Sequence, residues 1–349
     1  MTLAAEGPLW RAVDGLLARA DVDGVLAHRV APLAAYRLRQ LGEPVPAALQ
    51  PYEQLARMAT LTAIPLLRRL RDLADGPLVL VKGAEVASLY PGRARSFGDI
   101  DLLAVEGRAL HAALKRAGFV ESVYPDDFSE YRHLHPLQAP RVWLEVEIHV
   151  RPIVPAGYRP PPLAEVVEAS VPSAVGVEGV SAPHPAHHAL MLAAHAWDDT
   201  EPLLSLRDLI DVAAVAQQAS EAELARTARA WGLSGIWDTT RRVADALFAG
   251  GRRTTALRVF GRHLESVRER TVLENHLWRW CAPFSELPFH RALLALPAVL
   301  GKELLPDPGE RWTDKVRRVG LGVLHPQRSM SAHTQSWQRD AADDDPAPR

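Results

Sequence analysis

The chain has 349 residues, 48% hydrophobic and 23% charged, which excludes a mainly disordered protein and supplies apolar surface for one large domain or two ordinary ones. Its formal charge of −2, from 40 Lys and Arg against 42 Asp and Glu, excludes a global electrostatic attraction to nucleic acid. The lone cysteine, Cys281, excludes an internal disulfide and a thiolate zinc cage, and a cytoplasmic, reducing compartment is expected from it.

The opening Met-Thr-Leu-Ala-Ala-Glu has no basic start followed by an apolar segment. No apolar run approaches the ~18 residues of a membrane span, so no membrane partner is expected. The longest, Ala292 to Leu300, is interrupted by Pro297. Residues 1–75 read as helices that pack on the neighbouring lobe, with apolar positions at helical spacing from Leu9 to Leu17 and from Leu55 to Leu70. Gly76-Pro77 ends that pattern. Leu78-Val79-Leu80-Val81 then reads as a short buried strand, closed by Lys82-Gly83, with a helix over Ala84 to Leu89. Asp99 to Val105 is a second strand, residues 107–118 a helix stopped by Gly118, and Phe119 to Tyr124 a third strand.

From Arg141 to Arg151, Val142, Leu144, Val146, Ile148 and Val150 alternate with Trp143, Glu145, Glu147 and His149. That is a half-buried strand whose polar face carries two carboxylates and an imidazole toward solvent or a cleft. After a proline-rich linker, residues 152–162, the chain reads as mostly helical, through His187 to His195, Leu204 to Val215 and Glu221 to Trp231. The expected fold class is α+β: a small mixed-sheet lobe over residues 76–152 with flanking helices, then a mainly α-helical second lobe over 153–328. Residues 329–349 read as a disordered tail.

Asp99-Ile100-Asp101 opens a strand, so its two carboxylates share one face. Their repulsion would be relieved by a hard divalent cation, Mg²⁺ or Mn²⁺. Either Glu145 or Glu147 supplies a third carboxylate from the alternating strand, beside His149. Such a set can hold ions about 3.5–4 Å apart for phosphoryl chemistry. A metal phosphohydrolase also uses clustered carboxylates.

Leu80-Val81-Lys82-Gly83-Ala84, Leu89-Tyr90-Pro91, Arg95, Gly98-Asp99-Ile100-Asp101-Leu102-Leu103 and Glu147-Ile148-His149-Val150 together resemble the bacterial uncharacterised nucleotidyltransferase family, itself similar to the DNA polymerase β-like nucleotidyltransferases. The resemblance spans roughly residues 55–152 and continues weakly into the helical region. It implies that Gly83 opens the turn before a helix, that Asp99, Asp101 and Glu147 hold the metal, and that a nucleoside triphosphate is the co-substrate. Lys82, Gly83, Arg95 and Ser96 are then the triphosphate contacts, through backbone N–H groups at the helix start or through the Lys82 ammonium; for Arg95 a surface salt bridge competes. The implied reaction moves a nucleoside monophosphate to an acceptor, a small molecule, peptide or protein. The alternatives are a toxin-like enzyme modifying tRNA and a degenerate fold that only binds.

His184, His187, His188 and His195 read as helix-packing or acceptor-side histidines, because no His-Glu-x-x-His spacing supports zinc. Arg207 and Asp211, at i,i+4, suit an intrahelical ion pair, while the family resemblance gives Asp211 a structural or acceptor-binding role across the cleft. Residues 185–215 are expected to face that cleft. Trp231, Trp237, Trp278 and Trp280 read as core, Cys281 as an inert thiol, and Arg252-Arg253 and Lys315 to Arg318 as solvated helix faces.

Overall fold

The computed structural model of the protein describes residues 7–123, 133–155, 158–198, 203–287, 289–306 and 311–316. Four helices come first: α1 Pro8–Leu17, α2 Val22–Ala27, α3 Ala31–Gln40 and α4 Gln50–Leu73. Proline in the first turn of α1, α3 and α4 fixes φ where no helical N–H is needed. Asp21 caps α2 by accepting the Gly24 N–H at 2.7 Å.

The sheet region comes next, with β1 Leu78–Leu80, α5 Gly83–Ala87, β2 Asp99–Leu103, α6 Gly107–Arg116, β3 Val120–Glu121, β4 Leu137–Gln138 and β5 Glu145–His149. Then come α7 Leu163–Glu168, β6 Val171–Pro172 and β7 Val180–Ala182. The remaining described elements are helices, among them α8 Pro185–Asp198, α9 Leu206–Ala216, α10 Glu221–Ala230, α11 Ser234–Phe248, α12 Arg262–Glu265, α13 Val272–Glu286 and α14 Phe289–Leu304.

The strands form one mixed sheet in the order β3-β4-β5-β2-β1-β7-β6. β2 runs antiparallel to β1 and parallel to β5, and β1 runs parallel to β7. Side-chain alternation sorts the two faces. Leu78, Leu80, Ile100, Leu102, Val146 and Ile148 pack with Leu66, Leu67 and Leu70 of α4 and Leu110 and Leu114 of α6. Val79, Val81 and Leu103 point the other way, into a larger apolar cluster shared with Leu190, Ala194, Leu206 and Ile210 of α8 and α9. Asp99 and Asp101 lie on the Leu103 face, so the acidic face of the sheet looks toward these helices.

Several expectations change. The paired part of the alternating segment is Glu145–His149, the stretch that faces β2; Val142 and Trp143 precede the ladder. Its polar face is covered, not solvated, with Glu145 8% and His149 2% exposed. The sheet also continues past residue 152: β6 and β7, in the part read as helical, complete it beside β1. Strands of two and three residues carry no readable period, and the hairpin between them turns through Gly176 and Gly179 at positive φ.

Trp231, Trp237 and Trp278 are buried, and Trp280 is partly so. Cys281 is half-buried, and burial raises its pKa. Arg253 is exposed and pairs with Glu265, whereas Lys315, read as a solvated residue, is buried and donates to the Leu305 carbonyl. Arg317, Arg318, Tyr124 and the tail from residue 329 lie outside the described residues. No helix among the described residues is long and apolar enough to cross a membrane.

Candidate active site

The parallel register of β2 and β5 aligns Asp99 with Glu145, Asp101 with Glu147 and Leu103 with His149. Because these residues alternate with Ile100, Leu102, Val146 and Ile148, their side chains converge on one face. Asp101, Glu147 and His149 bring one ligand-type atom each to within 4.8 Å of one another. Asp99 shares the face but stands outside that group.

Asp101 is fully buried, and its Oδ1 accepts from Lys82 Nζ at 3.2 Å and from His149 Nε2 at 3.0 Å. Its Oδ2 is buried without a hydrogen-bond partner. An orphaned carboxylate oxygen in a dry acidic cluster is a costly arrangement that a cation would complete, so this donor set fits a divalent ion. Glu147 Oε2 lies 3.6 Å from both His149 Nε2 and His133 Nε2. The His133 Nδ1–H donates to the Leu134 carbonyl at 2.8 Å, which turns Nε2 toward the carboxylate.

Electrostatics separates the three acids. Burial pushes the Glu147 pKa up to about 9, reinforced by the negative charges of Asp101 and Asp99. Burial also raises Asp99 to about 6, again with help from Asp101. Burial acts the same way on Asp101, but Lys82 and His149 overcome it and hold Asp101 well below the usual carboxylate range. Lys82 is raised, because Asp101, Asp99 and Glu147 outweigh its own burial. Of the positive charges acting on Asp101, Lys82 is the strongest.

The Lys82-Gly83 turn is built around glycine. Gly83 has φ +43°, and a Cβ there would stand 2.9 Å from the Asp99 carbonyl oxygen, so this close approach to β2 admits no side chain. Glu145 accepts from the Ser122 hydroxyl, whereas Glu147 is the one that groups with Asp101 and His149.

Arg95 corrects an expectation. It is 6% exposed, and its Nε and Nη2 donate to Asp211 at 2.8 and 2.6 Å while Nη1 reaches the Gly83 carbonyl at 3.4 Å. Its guanidinium is engaged in the interior, so it is not a surface salt bridge. Asp211 also accepts from the Tyr90 hydroxyl at 2.6 Å. The intrahelical Arg207–Asp211 pair does not form, because Asp211 turns inward; Arg207 instead lies 3.4 Å from Asp208. Ser96 is half-buried, and its carbonyl accepts from Arg95.

The helices over this face bring further polar residues toward the acidic cluster. His188 contacts the Val81 carbonyl and anchors α8 at the end of β1. Two turns on, along the same side, His195 lies where Lys82 and Asp101 both act on it; burial first, then Lys82, lowers its pKa to about 3. Arg207 supplies positive charge that acts on Asp99, and Asp208 accepts from Ser205. The seven-residue spacing of His188 and His195 was a usable signal; the local spacing of Arg207 pointed instead to Asp211, and nothing local marked His133. Residues 23–249 match the family described as "Uncharacterised nucleotidyltransferase". No curated protein and no solved structure matches the chain.

Proposed function

Because the chain belongs to the uncharacterised nucleotidyltransferase family, we propose that it transfers a nucleoside monophosphate from a nucleoside triphosphate to an acceptor, using a divalent cation held by Asp101 and Glu147 with Asp99 at its edge. The observation that carries this reading is the parallel register that puts Asp101 beside Glu147 while leaving the buried Asp101 Oδ2 without a partner. When bound, the cation, Mg²⁺ or Mn²⁺, supplies neutralisation of phosphate charge.

The chain's own residues do the positioning. Lys82, on the Gly83 turn, exchanges its contact with Asp101 for the triphosphate oxygens; the half-buried Ser96 stands in the separate loop before β2. Arg95, held by Asp211, fixes the carbonyl of Gly83 and with it the direction of that turn. In the reaction an acceptor oxygen attacks the α-phosphorus and loses its proton. The bond to the bridging oxygen breaks, and pyrophosphate leaves. α8 and α9 cover the acidic face, and in this reading the acceptor binds between them and the sheet. The catalytic unit then runs from residue 76 through β7, with the later helices as the acceptor-binding part.

The test is pyrophosphate release from each of the four ribonucleoside triphosphates, with Mg²⁺ or Mn²⁺, in the presence of a cell extract as acceptor source. Release is expected with at least one of them, as is its loss in Asp101→Asn. Label recovered in the RNA fraction would identify tRNA-like acceptors. Nucleotide binding without release in any extract would favour a fold that only binds.

A further inference from the structure

The polar face of β5 continues one step past Glu147, to His149. His149 Nε2 stands 3.0 Å from Asp101 Oδ1 and 3.6 Å from Glu147 Oε2. Neighbouring ligands around a six-coordinate ion with bonds of about 2.1–2.2 Å are about 3 Å apart. His149 Nε2 thus already stands near that spacing from each carboxylate, and one ligand-type atom from each of the three residues lies within 4.8 Å of the others. His149 is 2% exposed and Asp101 0%, so their relative placement is fixed by packing and not by solvent.

We propose that His149 Nε2 is itself a ligand, and that the resulting set of two carboxylates and one imidazole selects a first-row transition ion such as Mn²⁺ over Mg²⁺. An imidazole that only oriented Asp101 would need one short contact. Here the same nitrogen faces both carboxylates. Mg²⁺ favours oxygen ligands and keeps its waters, whereas imidazole nitrogen suits transition ions. Ligation requires the Nε2 proton of His149 to be carried on Nδ1 instead, a tautomer exchange within the neutral ring. This rests on the transferase reading only in placing a cation between Asp101 and Glu147.

The probe is Mn²⁺ bound to the full-length protein and read by electron spin echo envelope modulation. The expected result is a ¹⁴N coupling that changes to ¹⁵N when histidine alone is labelled, and that disappears in His149→Gln. A second readout is Mg²⁺ competition against bound Mn²⁺: in His149→Asp, preference for Mn²⁺ falls about tenfold or more. Stoichiometric Mn²⁺ without nitrogen coupling in the wild type overturns ligation by His149, yet leaves the carboxylate site and the transferase reading standing. Coupling that persists undiminished in His149→Gln also overturns it. Failure of the wild type to bind Mn²⁺ at all overturns both.

Discussion

Arg95 and Asp211, 116 residues apart, form a buried two-pronged ion pair, with Nε to Oδ1 at 2.8 Å and Nη2 to Oδ2 at 2.6 Å. The pair ties the loop before β2 to α9, and the third guanidinium nitrogen reaches the Gly83 carbonyl. Removing one partner leaves the other charge buried and uncompensated. Asp211→Ala is therefore expected to cost about 3–5 kcal/mol, read by denaturant unfolding, while Arg95→Met/Asp211→Leu costs less than the sum of the single changes. An unchanged midpoint in Asp211→Ala would contradict a structural role for the pair.

Gly83→Ala tests the turn independently of any ligand. Its left-handed φ and the 2.9 Å approach of a new Cβ to the Asp99 carbonyl both oppose the substitution. A loss of roughly 1–3 kcal/mol is expected, together with weaker nucleotide binding. Substitution without effect on melting would mean that the turn relaxes freely.

Cation uptake should depend on pH with a definite sign. Burial and the neighbouring acids raise Glu147 to about 9, so metal-free protein holds a proton there at neutral pH that the cation must displace. Mn²⁺ affinity is expected to rise up to about tenfold per pH unit between pH 6 and 9, with proton release seen calorimetrically in buffers of different ionisation enthalpy. Stability of the metal-free protein runs the other way. A raised folded pKa contributes stability that is complete below the unfolded value of 4.5 and is lost as pH rises through about 9. Affinity independent of pH would contradict the displaced proton.

Two buried imidazoles produce the opposite trend in acid. Burial lowers His28 and His188 to about 4 each, so both are neutral in the fold. Groups of this kind stabilise fully above the unfolded value of 6.5, and the contribution is lost as pH falls through about 4. Melting temperature should drop across that window, and less steeply in His188→Asn than in the wild type.

The sheet region was legible where its period was long enough to read. The alternation around Glu147 and the spacing of Asp99 and Asp101 placed two strands, and the family motif singled out Glu147, which the register sets beside Asp101. What escaped was non-local. β6 and β7 are too short to show a period, and they join the sheet only because β1 lies beside them. Asp211 presented an obvious local partner in Arg207, yet the buried Arg95 offered two charge-assisted bonds and took it. His149 appeared in sequence as a neighbour of the acids, and only the register shows its nitrogen facing both of them.

If Asp101 and Glu147 create a cation-dependent triphosphate site, the most direct measurement is a thermal-shift panel of the four ribonucleoside triphosphates, with and without Mg²⁺ or Mn²⁺, on the wild type and Asp101→Asn. A ligand that binds only the folded state raises the melting temperature. The predicted result is a cation-dependent rise with at least one triphosphate that Asp101→Asn abolishes. A rise of equal size in Asp101→Asn, or none with any triphosphate in the wild type, would contradict such a site.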